Sequence, residues 1–92
     1  MIDILTIRLI PSEHVVESSV GDETVLLHLE NGTYYGLDAI GTRIWALLKD
    51  GMEAQAICQT LMSEYRVARE VIEADVRRFL SDLSAQNIVS LG

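Results

Sequence analysis

Between Glu23 and Leu37, two apolar runs flank the dipeptide Asn31-Gly32: Val25-Leu26-Leu27-His28-Leu29 before it and Thr33-Tyr34-Tyr35-Gly36-Leu37 after it. Few short features restrict a fold as strongly. Asn and Gly tolerate the positive φ that a type I′ turn requires at both central residues, so the spacing predicts a hairpin with a two-residue loop. That loop would place Leu29 opposite Tyr34, Leu27 opposite Gly36 and Leu26 opposite Leu37. The second strand, Thr33 to Leu37, carries no Pro, no Lys and no other charge. At a sheet edge it would lack the usual devices against stray pairing, which marks it as a candidate site for an added strand.

The segment before the hairpin extends the sheet. His14 to Val20 reads as a strand, and Gly21-Asp22 as a tight turn that sets Val16 against Leu27 and Ser18 against Val25. Val16, Val25, Leu27, Leu29 and Tyr34 then share one face, expected to be the core side. Val15, Glu17, Leu26, His28, Tyr35 and Leu37 take the other. On this reading Tyr34 points inward, and Tyr35 and Leu37 are exposed beside the backbone of Gly36. Ile2 to Ile10 is rich in β-branched residues and is expected to be extended, with Pro11 ending it. It lacks a basic leading region and is too short and too charged for a membrane span.

After the hairpin the period changes from two to 3.6. Asp38 is a plausible N-cap for a helix running to about Lys49, with Ile40, Ile44, Leu47 and Leu48 in a stripe, Trp45 on its flank and Gly51 as the C′ residue. A second helix, about Glu53 to Tyr65, buries Ala54, Ile57, Cys58, Leu61 and Tyr65. A third, about Arg69 to Ala85, buries Ile72, Val76, Phe79, Leu80 and Leu83, with Glu73 and Arg77 paired on its outer face. Asn87 can end it, leaving Ile88 to Leu91 as a short extended tail. The expected architecture is α+β and winged-helix-like: a three-stranded antiparallel sheet followed by three helices, in a single domain over residues 1–92.

Composition bears on function mainly by exclusion. The 14 acidic residues against 7 basic ones give a net charge of −7 and a pI near 4.5. That balance argues against nucleic acid and against an anionic membrane surface. Arg66, Arg69, Arg77 and Arg78 lie on or near the third helix, yet a winged-helix DNA-binding regulator needs a net basic face. A lone cysteine cannot form an intrachain disulfide, so a cytoplasmic setting is expected.

No catalytic set can be assembled, and the expectation is a non-enzyme. Cys58 lies on an apolar stripe and reads as a structural thiol. His14 and His28 form no metal-ligand spacing with it, the helical carboxylates fit a solvated face, and no glycine cluster cradles phosphate, so neither metal nor cofactor is expected. What remains is a binding surface. On helix three Val71 falls in line with Asp75, Arg78 and Asp82, outside the core stripe. A groove between this line and the Tyr34–Leu37 edge would accept a peptide strand pairing with Tyr34, Tyr35 and Gly36. Its side chains would enter a trough lined by Leu37, Val71 and Phe79, with Arg78 reaching a peptide carboxylate. An unfilled edge could also pair with a second copy.

Asp22-Glu23-Thr24-Val25-Leu26-Leu27, Gly32-Thr33-Tyr34-Tyr35-Gly36-Leu37 and Gly41-Thr42-Arg43-Ile44-Trp45, followed by the Ile57, Leu61, Tyr65 and Asp75-Val76, Phe79-Leu80, Leu83 helices, resemble the PqqD-like family over roughly residues 8 to 91. The resemblance implies a RiPP recognition element, a non-catalytic domain that holds the leader of a ribosomally made precursor peptide. In that family the leader adds to the third strand and lies against the third helix. Carried over, the peptide-binding residues are Thr33, Tyr34, Tyr35, Gly36, Leu37, Val71, Asp75, Arg78, Phe79 and Asp82. The partner would be a separate modifying enzyme, a leader peptidase or a radical SAM enzyme. The Tyr-Tyr-Gly-Leu strand and the Gly-x-x-Ile-Trp helix look more like the standalone proteins of lasso-peptide clusters. Members serving pyrroloquinoline quinone synthesis usually carry Pro-Glu where this chain has Glu30-Asn31, which leaves a PqqD-type chaperone role as the alternative. Ala68-Arg69 replaces a common Asp-Pro helix start and leaves helix three without a side-chain cap.

Overall fold

The structure, a computed structural model, describes residues 3–92. Gly21 has φ +64° and opens a two-residue turn of the kind that favours Gly first. It joins strands β2 (Val15–Val20) and β3 (Glu23–His28) in the expected register, Val16 opposite Leu27 and Ser18 opposite Val25. The next connection differs from expectation. Strand β4 (Tyr34–Leu37) pairs Leu27 with Tyr34, Leu26 with Tyr35, Val25 with Gly36 and Thr24 with Leu37. Asn31 does not adopt positive φ; only Gly32 does, at +72°. Leu29 to Gly32 form a longer loop closed by Gly32 N–H donating to the His28 carbonyl and His28 N–H donating to that of Thr33, at 2.8 and 2.9 Å. The Asn31 side chain accepts from Thr33 N–H at 2.9 Å, so it builds an Asx turn instead of a type I′ centre.

This two-residue shift preserves which residues share a face, because the period of a strand is two. The face that packs inward is nevertheless the opposite of the one expected. Thr24, Leu26, His28 and Leu37 are buried, whereas Val16, Leu29 and Tyr34 are exposed. Composition misleads here, since the outward face is the more uniformly apolar one. The inward His28 is accommodated because its Nδ1 accepts from Glu30 N–H at 3.2 Å.

The helices follow their caps. Asp38 accepts from Gly41 N–H at 2.8 Å and opens α1 (Ala39–Lys49). Gly51, at φ +84°, ends it with Gly51 and Met52 N–H groups bonded back to Leu48 and Leu47. Helix α2 spans Ala54–Tyr65 and α3 spans Arg69–Ala85. Ala68 gives α3 no side-chain cap. Asn87, at φ +59°, terminates it, with Ile88 N–H reaching the Leu83 carbonyl. Their apolar stripes meet at Ile44, Trp45, Leu48, Ile57, Leu61, Ile72, Val76, Leu80 and Leu83. Three expected core positions are corrected: Ile40 and Tyr65 are exposed, and Phe79 is half-buried. Ile40 sits in the first turn of α1 and Tyr65 in the last residue of α2, where the stripe has run off the layer.

The N-terminal segment is also corrected. Ile2 lies outside the described residues. Asp3 accepts from Leu5 N–H and caps a single 3₁₀ turn, Ile4–Thr6, that buries Leu5. Only Leu9–Pro11 (β1) is a strand, and it pairs with Val89–Leu91 (β5) as a separate antiparallel ladder. Arg77 on α3 grips the Asp3 carboxylate through two bonds of 3.0 and 2.8 Å. The order β2-β3-β4 leaves the outer side of β4 without a strand partner among the described residues.

Candidate functional site

Backbone alternation identifies what the β4 edge offers. His28 N–H bonds to the Thr33 carbonyl, so the pairs that exchange bonds across β3 and β4 are, by alternation, Leu26 with Tyr35 and Thr24 with Leu37. The N–H and C=O groups of Tyr34 and Gly36 therefore point away from β3, toward the open edge. Tyr35, expected to pair with an added strand, has its backbone committed to the sheet. Two residues, not three, carry the free donors and acceptors.

Beside this edge runs an open groove. Its first part, a depression of about 190 Å³, is lined by Tyr35, Gly36, Leu37, Asp38, Arg78, Phe79 and Asp82. It continues into a second depression of about 110 Å³ with Ile40, Gly41, Ile44 and Asp75 on its walls. Leu37 is 2% exposed and so forms the floor; it is not an exposed contact. The Tyr35 ring meets the Phe79 ring edge-on, with centroids 6.4 Å apart. Partial burial, followed by the negative charge of Asp82, pushes the Tyr35 hydroxyl above its ordinary range. Gly41 permits the close approach of α1 to α3: a Cβ there would lie 3.1 Å from Phe79 Cε1. Arg78 is the one basic side chain lining the groove; it is largely exposed and stands 3.7 Å from Asp75.

Of the ten residues singled out in the sequence, seven line this groove: Tyr35, Gly36, Leu37, Asp75, Arg78, Phe79 and Asp82. Tyr34 contributes its backbone, while its side chain is 71% exposed on the opposite face of the sheet. Thr33 and Val71 do not line either depression. The sequence reading missed the contribution of α1. Asp38, Ile40, Gly41 and Ile44 form one wall, and the signal was Ile40, an apolar residue in the first turn of a helix whose stripe is otherwise buried. Among the described residues no group of three His, Cys, Asp or Glu side chains could hold a metal ion. No helix among them is long and apolar enough to cross a membrane.

Comparison with known proteins gives a family and two solved structures. The family described as "Coenzyme PQQ synthesis protein D (PqqD)" matches residues 23–89. The structure "TbiB1 in Complex with the TbiA(beta) Leader Peptide" is 43% identical with a TM-score of 0.83, covering 88% of this chain and 94% of that one. "Lasso peptide synthetase B1 complexed with the leader peptide" has the same TM-score at 24% identity, covering 90% and 98%, a likeness of fold. No curated protein matches.

Proposed function

The chain belongs to the PqqD family, and from that membership we propose that it is a RiPP recognition element, a protein that binds the leader of a ribosomally made precursor peptide. The leader adds as a strand to β4 and lies in the groove between β4, α1 and α3. The observation that carries this reading is the pair of outward-facing backbones at Tyr34 and Gly36, set beside a groove floored by Leu37. Up to four main-chain hydrogen bonds would hold the strand, and alternate side chains would enter the groove to supply selectivity. The 43% identity with TbiB1, solved with a leader peptide, supports the same reading; the fold shared with lasso peptide synthetase B1 and the Tyr34–Leu37 and Gly41–Trp45 motifs favour lasso-peptide biosynthesis.

In this role the chain does no chemistry on the peptide. It presents the leader to a separate modifying enzyme, a leader peptidase in the lasso setting, and works in the cytoplasm where precursors are made. A quinone-pathway chaperone working with a radical SAM enzyme is the second reading, favoured by the family description alone. Titrating the chain into a panel of fluorescently labelled lasso-precursor and quinone-precursor leader peptides, the TbiA(beta) leader among them, tests the proposal. Saturable binding is expected, and its absence at tens of micromolar would refute it. Preference for a quinone precursor over a lasso leader would select the second reading.

A further inference from the structure

One cross-strand row of the sheet reaches both helical walls of the groove. Glu17 on β2 stands opposite Leu26 on β3, which stands opposite Tyr35 on β4. Residues directly opposite each other share a face, so all three point toward the helices, with Leu26 fully buried in the middle. At the β4 end the Tyr35 ring meets Phe79 of α3. At the β2 end the Glu17 carboxylate holds α1: its Oε1 accepts from Trp45 Nε1 at 3.2 Å and from Lys49 Nζ at 2.6 Å. Among the described residues these are the only side-chain hydrogen bonds between α1 and the sheet.

Helix α1 carries a matching line. Gly41, Trp45 and Lys49 are spaced i, i+4, i+8 and lie along one side of it. Gly41 sits against Phe79 at the groove, while Trp45 and Lys49 meet Glu17. Two strand spacings put Glu17 about 10 Å from Tyr35, and the helical rise puts Lys49 about 12 Å from Gly41. Row and line therefore have similar spans and are joined at both ends. The Glu17 and Lys49 side chains are 39% and 43% exposed, and an ion pair that wet contributes little to stability. What it supplies is a position.

We propose that Glu17 is a positioning residue for leader binding: through Trp45 and Lys49 it holds α1, one wall of the groove, at the separation from α3 that the peptide requires, before the peptide arrives. The proposal rests on the leader-binding reading above. Glu17 does not touch the peptide, because β3 and β4 stand between it and the open edge. Without the tie, α1 keeps its Asp38 cap and its buried stripe, but its second half can swing about the Gly41–Phe79 contact. The peptide-ready groove is then one arrangement among several, and affinity falls with the fraction of molecules that hold it. A loss of this origin appears in the association rate and spares dissociation, since the wall is in place once the complex has formed.

Glu17→Ala removes the acceptor, and Glu17→Gln keeps an oxygen in its place. Each full chain is mixed with the labelled leader that the wild type binds most tightly in the panel above, with stopped-flow anisotropy and urea unfolding as readouts. Glu17→Ala is expected to bind about three- to tenfold more weakly, with the loss in kon, koff unchanged and the unfolding midpoint close to wild type. Trp45 is the one tryptophan of the chain, so a change in its emission reports the lost acceptor. Glu17→Gln is expected to restore most of the affinity. Lys49→Met, which leaves the Trp45 bond, should show a smaller loss in the same rate constant and carries the test if Glu17→Ala does not fold. Wild-type affinity in Glu17→Ala overturns the proposal. So does a loss carried by koff, and so does equal weakening in the Ala and Gln variants, which would trace the effect to charge. A wild type that binds no leader of the panel is a separate failure: it removes the functional reading, and this proposal with it, before any variant is compared.

Discussion

A Cβ on Gly41 would stand 3.1 Å from Cε1 of Phe79 and 3.3 Å from Oδ1 of Asp38, its own helix cap. The first turn of α1 therefore presses on the aromatic wall of the groove. Gly41→Ala gains helix propensity, up to ~1 kcal/mol, but requires the half-buried Phe79 ring to move a few tenths of an ångström. Thermal denaturation should show stability within about 1 kcal/mol of wild type, while anisotropy shows weaker leader binding. Unchanged affinity would mean that the Phe79 wall does not touch the peptide.

The alternation of backbone bonds makes neighbouring residues in β4 respond differently to proline. Gly36→Pro deletes an N–H that faces the open edge and puts ring atoms where a strand would add, leaving the β3 ladder intact. The missing bond alone is worth about 0.5–1.5 kcal/mol, and the ring blocks approach, so leader binding should fall by more than tenfold with little change in unfolding. Tyr35→Pro removes a ladder bond to Leu26 and should lower the unfolding midpoint itself. Equal unfolding losses in the two variants would contradict the assigned pairing.

Leu37 separates floor from rim. At 2% exposure, its truncation to Ala should cost about 2–5 kcal/mol in chemical denaturation, the range for buried Leu. A loss below about 0.5 kcal/mol, the level of a surface substitution, would place Leu37 outside the core.

Asp3 and Arg77 predict an acid limb in the stability profile. The Arg77 guanidinium, followed by Leu5 N–H, holds the Asp3 carboxyl down at about 2 from an ordinary value near 3.8. A group whose pKa is lower when folded contributes stability above its unfolded value and loses it as pH falls toward its folded one. The melting-temperature gap between wild type and Asp3→Asn should thus be constant above pH 5 and close between about 4 and 2. A gap that persists at the acid end would show that the carboxylate's charge is not what matters.

Local signals made much of this fold readable. Asp38 and Gly51 bracket α1 because capping needs only residues within a turn of the helix end, and Gly21-Asp22 sets the β2–β3 register for the same reason. What failed depended on distance or on competition between local devices. Asn31 could have been a turn centre, but its side chain bonds Thr33 N–H, so the loop lengthens and the register moves by two. The inverted sheet faces have a different cause. Val16, Leu29 and Tyr34 look like core, and Thr24 and His28 do not, yet the helices cover the face carrying Leu26 and Leu37. The β1–β5 ladder joins residues about eighty positions apart and leaves no local trace. In the groove, β4 and the 75–82 line of α3 were legible from strand and helix periods. The α1 wall was not, because an exposed Ile40 is unremarkable until Phe79 faces it.

The open amides and carbonyls of Tyr34 and Gly36 also set what a bound partner is free to vary. Main-chain pairing reads the presence of an extended strand and is blind to its letters. Mutation in the precursor is then filtered only where a side chain meets the groove, and the alternate positions, turned to the outer face of the sheet, can drift. A host protein built this way can keep pace with a changing family of peptides without altering its own edge.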